Sequence, residues 1–226
     1  MFKLHFGTLT LKIYDKGDRV LRVEIVAHHV KELRCGTLVE KMPRLLQTMQ
    51  QYLHNFLNII QAAHVSFLDE RAFDELAAPS QRGTKRLAGV DFNKVRMRRV
   101  VAAVIALSPK PTGFTVTDLA QRVFDMAGPE LGPYNSRRSA YDLAKIRCKG
   151  MVERICRSCR YRATVAGVRK LAAYTILREQ VIKPLLAGAT GPRGRPCKTI
   201  HPLDQHYMNL REELFKTFET LGLAVA

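Results

Sequence analysis

Residues Gly113–Lys170 read GFTVTDLAQRVFDMAGPELGPYNSRRSAYDLAKIRCKGMVERICRSCRYRATVAGVRK. Two short helical patterns come first, and two strand-like runs around a basic turn follow. Thr115 caps the first helix with Asp118 at the capping-box position, and Leu119, Val123, Phe124 and Met126 are its apolar members. Gly128-Pro129 ends that helix. Asn135 or Ser136 caps the next, which runs to Lys149 and stops at Gly150, where a left-handed residue is needed. Met151–Ile155 and Arg160–Thr164 then read as strands joined by Cys156-Arg-Ser-Cys159.

Charge marks the same segment. From Tyr134 to Lys170, many Arg and Lys residues face only Asp142 and Glu153 as acids. The whole chain carries 37 Lys+Arg against 20 Asp+Glu, a net charge of +17. That imbalance exceeds what solubility requires and points to a polyanionic partner. At roughly 100° per residue, Ala140, Leu143 and Ile146 centre on one side of the second helix. Arg138, Tyr141 and Lys145 centre on the other, flanked by Arg137 and Lys149. Arg grips guanine edges bidentately, Tyr touches phosphate or stacks, and Lys contacts phosphate, which is the chemistry of a helix in a major groove.

The stretch from Gly150 to Gly167 resembles the wing of the winged helix-turn-helix superfamily. There an apolar strand follows the helix-ending glycine, and a second strand ends in a Tyr-x-apolar-Thr-x-x-Gly pattern, here Tyr161, Ala163, Thr164 and Gly167. The resemblance covers about residues 91–186. It implies that the helix ending at Lys149 enters the major groove while Arg157, Arg160 or Arg162 reaches the backbone or the minor groove. Members of that superfamily are mostly transcription regulators, but the unit also serves replication initiators, transposases and protein-contact modules.

Before this segment, Thr8–Ala27 reads as a β-hairpin, with Leu9, Leu11 and Ile13 alternating with polar residues and Asp15-Lys16-Gly17-Asp18 as the turn. Two strands alone are marginal, so the hairpin needs a helix or a further strand. Its Lys12, Tyr14 and Lys16, followed by Leu21, Arg22 and Glu24, resemble a strand pair of phage and plasmid replication initiation proteins. Those enzymes join a His-apolar-His metal strand to a nucleophilic Tyr. This chain has His28-His29 adjacent instead, so Tyr14 and Glu24 read as cross-strand partners.

Met42–His64 is an amphipathic helix with Leu45, Met49, Tyr52, Phe56, Ile59 and Ile60 as its stripe. Ser66–Leu76 is a shorter helix capped by Ser66. PSQRGTKRLAG, Pro79–Gly89, has turn formers and charge without apolar period and reads as a basic linker. Asp91–Leu107 follows as a helix with Val95, Val100, Val101, Val104 and Ile105 available for burial. Beyond the wing, Val168–Leu186 is helical, Gly188–Pro196 is a second basic linker, and a last helix near Leu203–Leu221 carries Leu210, Leu214, Phe218 and Leu221.

Five cysteines, Cys35, Cys148, Cys156, Cys159 and Cys197, form an odd, irregular set that suits free thiols in a reducing compartment. Cys156 and Cys159 have half the spacing of a zinc site, with no second pair at a standard distance, so no metal and no cofactor is expected. No apolar run spans a membrane and no secretion signal precedes the hairpin, which points to the cytoplasm.

The expected fold class is α+β, mostly helical: an N-terminal β-hairpin plus long helices, a winged helix-turn-helix and a C-terminal helix. The expected organisation is a module at 1–78, a linker at 79–90, the winged helix at 91–187 and a linker with the last helix at 188–226. The expected function is non-enzymatic docking on duplex DNA through Arg137, Arg138, Tyr141, Lys145, Lys149, Arg157, Arg160 and Arg162, in transcription or replication. A homodimer through Val168–Leu186 or the last helix is the expected assembly. The competing expectation is a fragment or degenerate copy of a mobile-element replication initiator or transposase, whose catalytic part would lie upstream of Met1. A basic RNA-binding module is the third class.

Overall fold

The structure, a computed structural model, describes residues 1–6, 9–17, 20–28, 39–64, 70–127, 134–188 and 201–220. The fold is α+β and mostly helical, and the chain divides into two compact units, Met1–Ala172 and Ala173–Ala226. The N-terminal strands number three rather than two. β1 (Phe2–Phe6), β2 (Leu9–Asp15) and β3 (Leu21–Ala27) form an antiparallel sheet in that order. Leu4 pairs with Leu11, and Leu11 with Ile25. The expected hairpin thus gains the extra strand it needs from the first residues of the chain.

α1 (Met42–His64) buries that sheet: Leu9 and Leu11 pack with its Leu45, Tyr52 and Phe56. Each such side chain contributes about 1.5–3 kcal/mol by leaving water. Ile60, expected in the stripe, is exposed. Thr10 points to the opposite side of the sheet from Leu9 and Leu11, and it too is buried. Its hydroxyl hydrogen-bonds His5 Nδ1 and His28 Nε2, each at 3.0 Å. Tyr14 donates to Glu24 Oε1 across the sheet at 2.6 Å. His29 and the Ser66 cap lie outside the described residues.

α2 (Glu70–Ala77) leads into residues 79–90, where the chain forms structure rather than a linker. β4 (Ser80–Arg82) and β5 (Lys85–Leu87) pair antiparallel, and Leu87 and Val90 are buried. The Val90 N–H donates to Leu76 C=O at 2.8 Å, closing the hairpin onto α2. The strands are too short and too charged for an apolar period to show.

Three helices follow. α3 (Val95–Leu107) begins after a turn in which Asn93 N–H donates to Asp91 Oδ1, so it starts later than expected. Val95 is exposed and Met97 takes a buried place with Val100, Val101, Val104 and Leu107. α4 (Val116–Ala127) carries the capping box as read: Thr115 N–H donates to Asp118 Oδ2 at 2.8 Å, and Asp118 N–H to Thr115 Oγ1 at 3.1 Å. Leu119 and Val123 are buried, whereas Phe124 is exposed. α5 (Ser136–Cys148) is capped by Asn135, whose side chain accepts from Arg138 N–H, and Gly150 beyond it is left-handed. These three helices pack on one another.

β6 (Val152–Arg154) and β7 (Tyr161–Ala163) pair antiparallel. Phe114, fully buried between α3 and α4, adds a third short rung by exchanging backbone hydrogen bonds with Tyr161, both at 2.8 Å. α6 (Val165–Ile176) then straddles the boundary between the units, and a π-helical stretch, Leu177–Ile182, runs on into α7 (Lys183–Gly188). Pro184 has no N–H, so it leaves the Gln180 carbonyl without the donor four residues on. Tyr207 of α8 (Pro202–Thr220) supplies one through its hydroxyl. On α8 the expected Leu210 and Leu214 are exposed, and Tyr207, Arg211 and Phe215 are the more sheltered residues. Phe218 is not described at the side chain, Leu221 lies outside the described residues, and so do residues 189–200. Among the described residues, no helix is long and apolar enough to cross a membrane.

Gly113 has φ +67°, and a Cβ there would stand 2.4 Å from Tyr161 O. Gly150 has φ +70° with open space around it. Replacing Gly150 by Ala should therefore cost only the left-handed penalty, about 1–2 kcal/mol. Gly113→Ala should cost clearly more, because it also pushes β7 away from Phe114. Urea unfolding of the two variants checks the order.

Candidate nucleic-acid interface

α5 is held from within by polar groups as well as apolar ones. Ser139 Oγ donates to Val116 C=O at 2.9 Å, which locks the start of α5 onto the start of α4. One turn on, Asp142 is buried with its side chain 1% exposed, 3.1 Å from Arg96 Nε of α3. Tyr134 donates to the same carboxylate at 3.3 Å. Lys145 is also buried, with its ammonium 4.7 Å from the centre of the Tyr141 ring. Burial pushes the Asp142 carboxyl above its ordinary range, against the charges of Arg96 and Lys145. Burial likewise pushes the Tyr134 phenol up, and the Asp142 charge adds to it.

The inward face of α5 is therefore Ser139, Asp142, Leu143, Lys145 and Ile146. This departs from the sequence expectation at two positions. Ala140, expected to pack, is exposed, and Lys145, expected to reach outward, is buried beside Asp142. A hydropathy pattern places Lys outside, but here the Lys145 ammonium lies over the Tyr141 ring, close enough to Asp142 to act on it by charge. Arg137, Arg138 and Tyr141 remain on the exposed side.

The β6–β7 hairpin is braced in the same way. Arg160 donates from Nη1 to Gly113 C=O at 3.1 Å and to Thr112 C=O at 3.2 Å, so it ties β7 to the connection between α3 and α4. Arg162 pairs with Glu153, its cross-strand neighbour, at 2.6 Å. Lys149 donates to Glu75 C=O of α2. Three of the expected phosphate-binding cations thus already have protein partners. Arg157, at the tip, is exposed, and none of the described residues pairs with its side chain.

The structure adds two residues to the set. Arg147, from the last turn of α5, and Arg154, from β6, line one groove of about 660 Å³ with Arg157, Cys156, Gly150 and Thr164. Glu153 also borders it, but its charge is taken up by Arg162. Both arginines stand in the basic segment quoted above; the sequence marks the turn at Gly150, but not that it brings the helix end beside the strand. Cys156 and Cys159 are exposed free thiols, and Cys148 is partly buried. Among the described residues, no group of three His, Cys, Asp or Glu could hold a metal ion.

No family model, no curated protein and no solved structure matches this chain.

A carboxyl raised by burial holds its proton more tightly in the folded than in the unfolded chain. Folding then gains as the pH falls through the interval between the raised value and the ordinary one of 3.8. The stability of the wild type relative to Asp142→Asn should accordingly increase from about pH 7 to about pH 4. Urea unfolding at both values tests this, and a difference that shrinks would give the Arg96 charge control over the site.

Proposed function

We propose that this chain is a non-enzymatic nucleic-acid-binding protein that docks on duplex DNA through a winged helix-turn-helix formed by α3, α4, α5, β6 and β7. The observation that carries this reading is the groove in which Arg147, Arg154 and Arg157 meet at the junction of helix end and wing. Supporting it, Arg137, Ala140, Tyr141, Ala144 and Arg147 fall on one stripe of α5 at roughly 100° per residue. The order of elements, with Phe114 as a short third strand against Tyr161, matches the outline of that fold.

In this reading α5 lies in the major groove. Arg137 and Arg138 reach guanine edges or flanking phosphates, and Tyr141 touches phosphate. Ala140 and Ala144 let the helix approach closely, and a methyl at that place suits contact with a thymine methyl. Arg147, Arg154 and Arg157 grip the backbone beside the wing. Lys145 acts behind the face by holding Tyr141 and Asp142 rather than by touching DNA. Lys149, Arg160 and Arg162 shape the platform. The excess of cations supplies long-range attraction, and its cytoplasmic role is in transcription or replication. Exposed Leu203, Leu210 and Leu214 on α8 suit association with a second copy.

Duplex binding should weaken steeply with salt, with a slope of about −0.9 per phosphate neutralised. Replacing Arg147, Arg154 and Arg157 together by Ala should lower the affinity at every salt concentration and make the slope shallower by about 3. Fluorescence anisotropy with competing single strands and structured RNA is the measurement. Unchanged binding by the triple variant would overturn the assignment, and stronger competition by RNA would move it to the RNA class.

A further inference from the structure

We propose that Cys156 and Cys159, at the tip of the wing, are a reversible thiol–disulfide pair that reacts with small anionic disulfides. The inference stands apart from nucleic-acid docking, because it rests on the geometry of the hairpin alone. β6 and β7 pair with Arg154 opposite Tyr161. The next rung is closed by Ile155 N–H donating to Arg160 C=O at 2.8 Å. Cys156 and Cys159 are therefore the first and last of the four residues in the loop that this hydrogen bond closes. Residues three apart in so tight a turn can bring their Cα atoms within about 7 Å, at the reach of about 4.4–6.8 Å that a disulfide bridges.

Three further observations favour reaction at this place. Both thiols are exposed. The loop between them is already tightly folded: Ser158 N–H donates to Ile155 C=O at 3.1 Å, Ser158 Oγ donates to the same carbonyl at 2.6 Å, and Cys156 is left-handed at φ 47°. Closing the bond therefore asks little further ordering of the chain. The tip is also cationic, since Arg154 and Arg157 are exposed beside the groove while Glu153 is neutralised by Arg162. A positive surface raises the local concentration of an anionic reagent.

The chemistry balances without a metal. One thiolate attacks a sulfur of the small disulfide, which leaves as one small thiol and one protein-bound mixed disulfide. The second cysteine then attacks the protein-bound sulfur, forms the Cys156–Cys159 bond and releases the second small thiol. The pair loses two electrons, and the two small thiols carry them with the two protons. A disulfide closing so short a loop gains little from chain entropy, so it stays open to reduction.

Trypsin provides a direct test, because it cuts after Arg154, Arg157 and Arg160 and so places the two cysteines on separate peptides. The full-length protein is equilibrated with oxidised and reduced glutathione, quenched in acid, alkylated and digested without reductant. Peptides Ile155–Arg157 and Ser158–Arg160 should then appear joined, rise with the proportion of oxidised glutathione and separate on reduction. Cys156→Ser and Cys159→Ser should each abolish the joined species with unchanged circular dichroism. Separate alkylated or glutathione-bearing peptides across the whole redox range, or peptides joined to other cysteines instead, would overturn the proposal. Since the peptides report the bond itself, failure of DNA binding would leave this result untouched.

Discussion

The exchange of backbone hydrogen bonds between Phe114 and Tyr161 is the contact that joins the helical part to the β6–β7 hairpin. It brings the connection between α3 and α4 against β7, far away in sequence, and it requires Gly113 because any side chain would meet the Tyr161 carbonyl. Arg160 reinforces the same join by binding the Thr112 and Gly113 carbonyls. With Phe114 sealed in the core, β6 and β7 are not a free hairpin of two short strands, which would be marginal in water. They are an edge of the helical body, and their tip therefore has a defined place beside the end of α5.

The same platform sorts the cations. A basic segment leaves open which charges serve the fold and which are available to a ligand. Here Arg96 and Lys145 surround the buried Asp142, Lys149 binds the end of α2, and Arg162 offsets Glu153. Arg147 and Arg157 gather around a groove at the surface with Arg154, whose Nε also donates to the Ser158 carbonyl. Spending part of the positive charge internally has a physical benefit beyond stability. Charged pairs that must keep their geometry to stay satisfied orient the helix that presents the remaining arginines.

Local signals were legible wherever the chemistry is local. The capping box at Thr115 and Asp118, the Asn135 cap, the Gly150 stop and the pairing of Tyr14 with Glu24 all involve neighbours in sequence or in one hairpin, and each stands as read. The misjudged positions are those decided by distant partners. Lys145 is buried with its ammonium over the Tyr141 ring, Phe124 and Val95 face water despite their apolar side chains, and residues 79–90 form β4 and β5, with α2 supplying a carbonyl for Val90. The first strand escaped notice for another reason: five residues at a chain end gain meaning only when a neighbouring strand is there to pair with them.

By itself, the sequence determined the mostly helical α+β class, the order of helices and strands from α3 to β7, and the cationic character of that segment. Periodicity, caps and net charge are properties of short windows or of composition, so no fold is needed to express them. The tertiary structure alone decided which cations are committed to protein partners and which three meet in one groove. Those outcomes depend on contacts between residues far apart in the chain. Their energies are set by burial and distance, which a linear pattern does not contain.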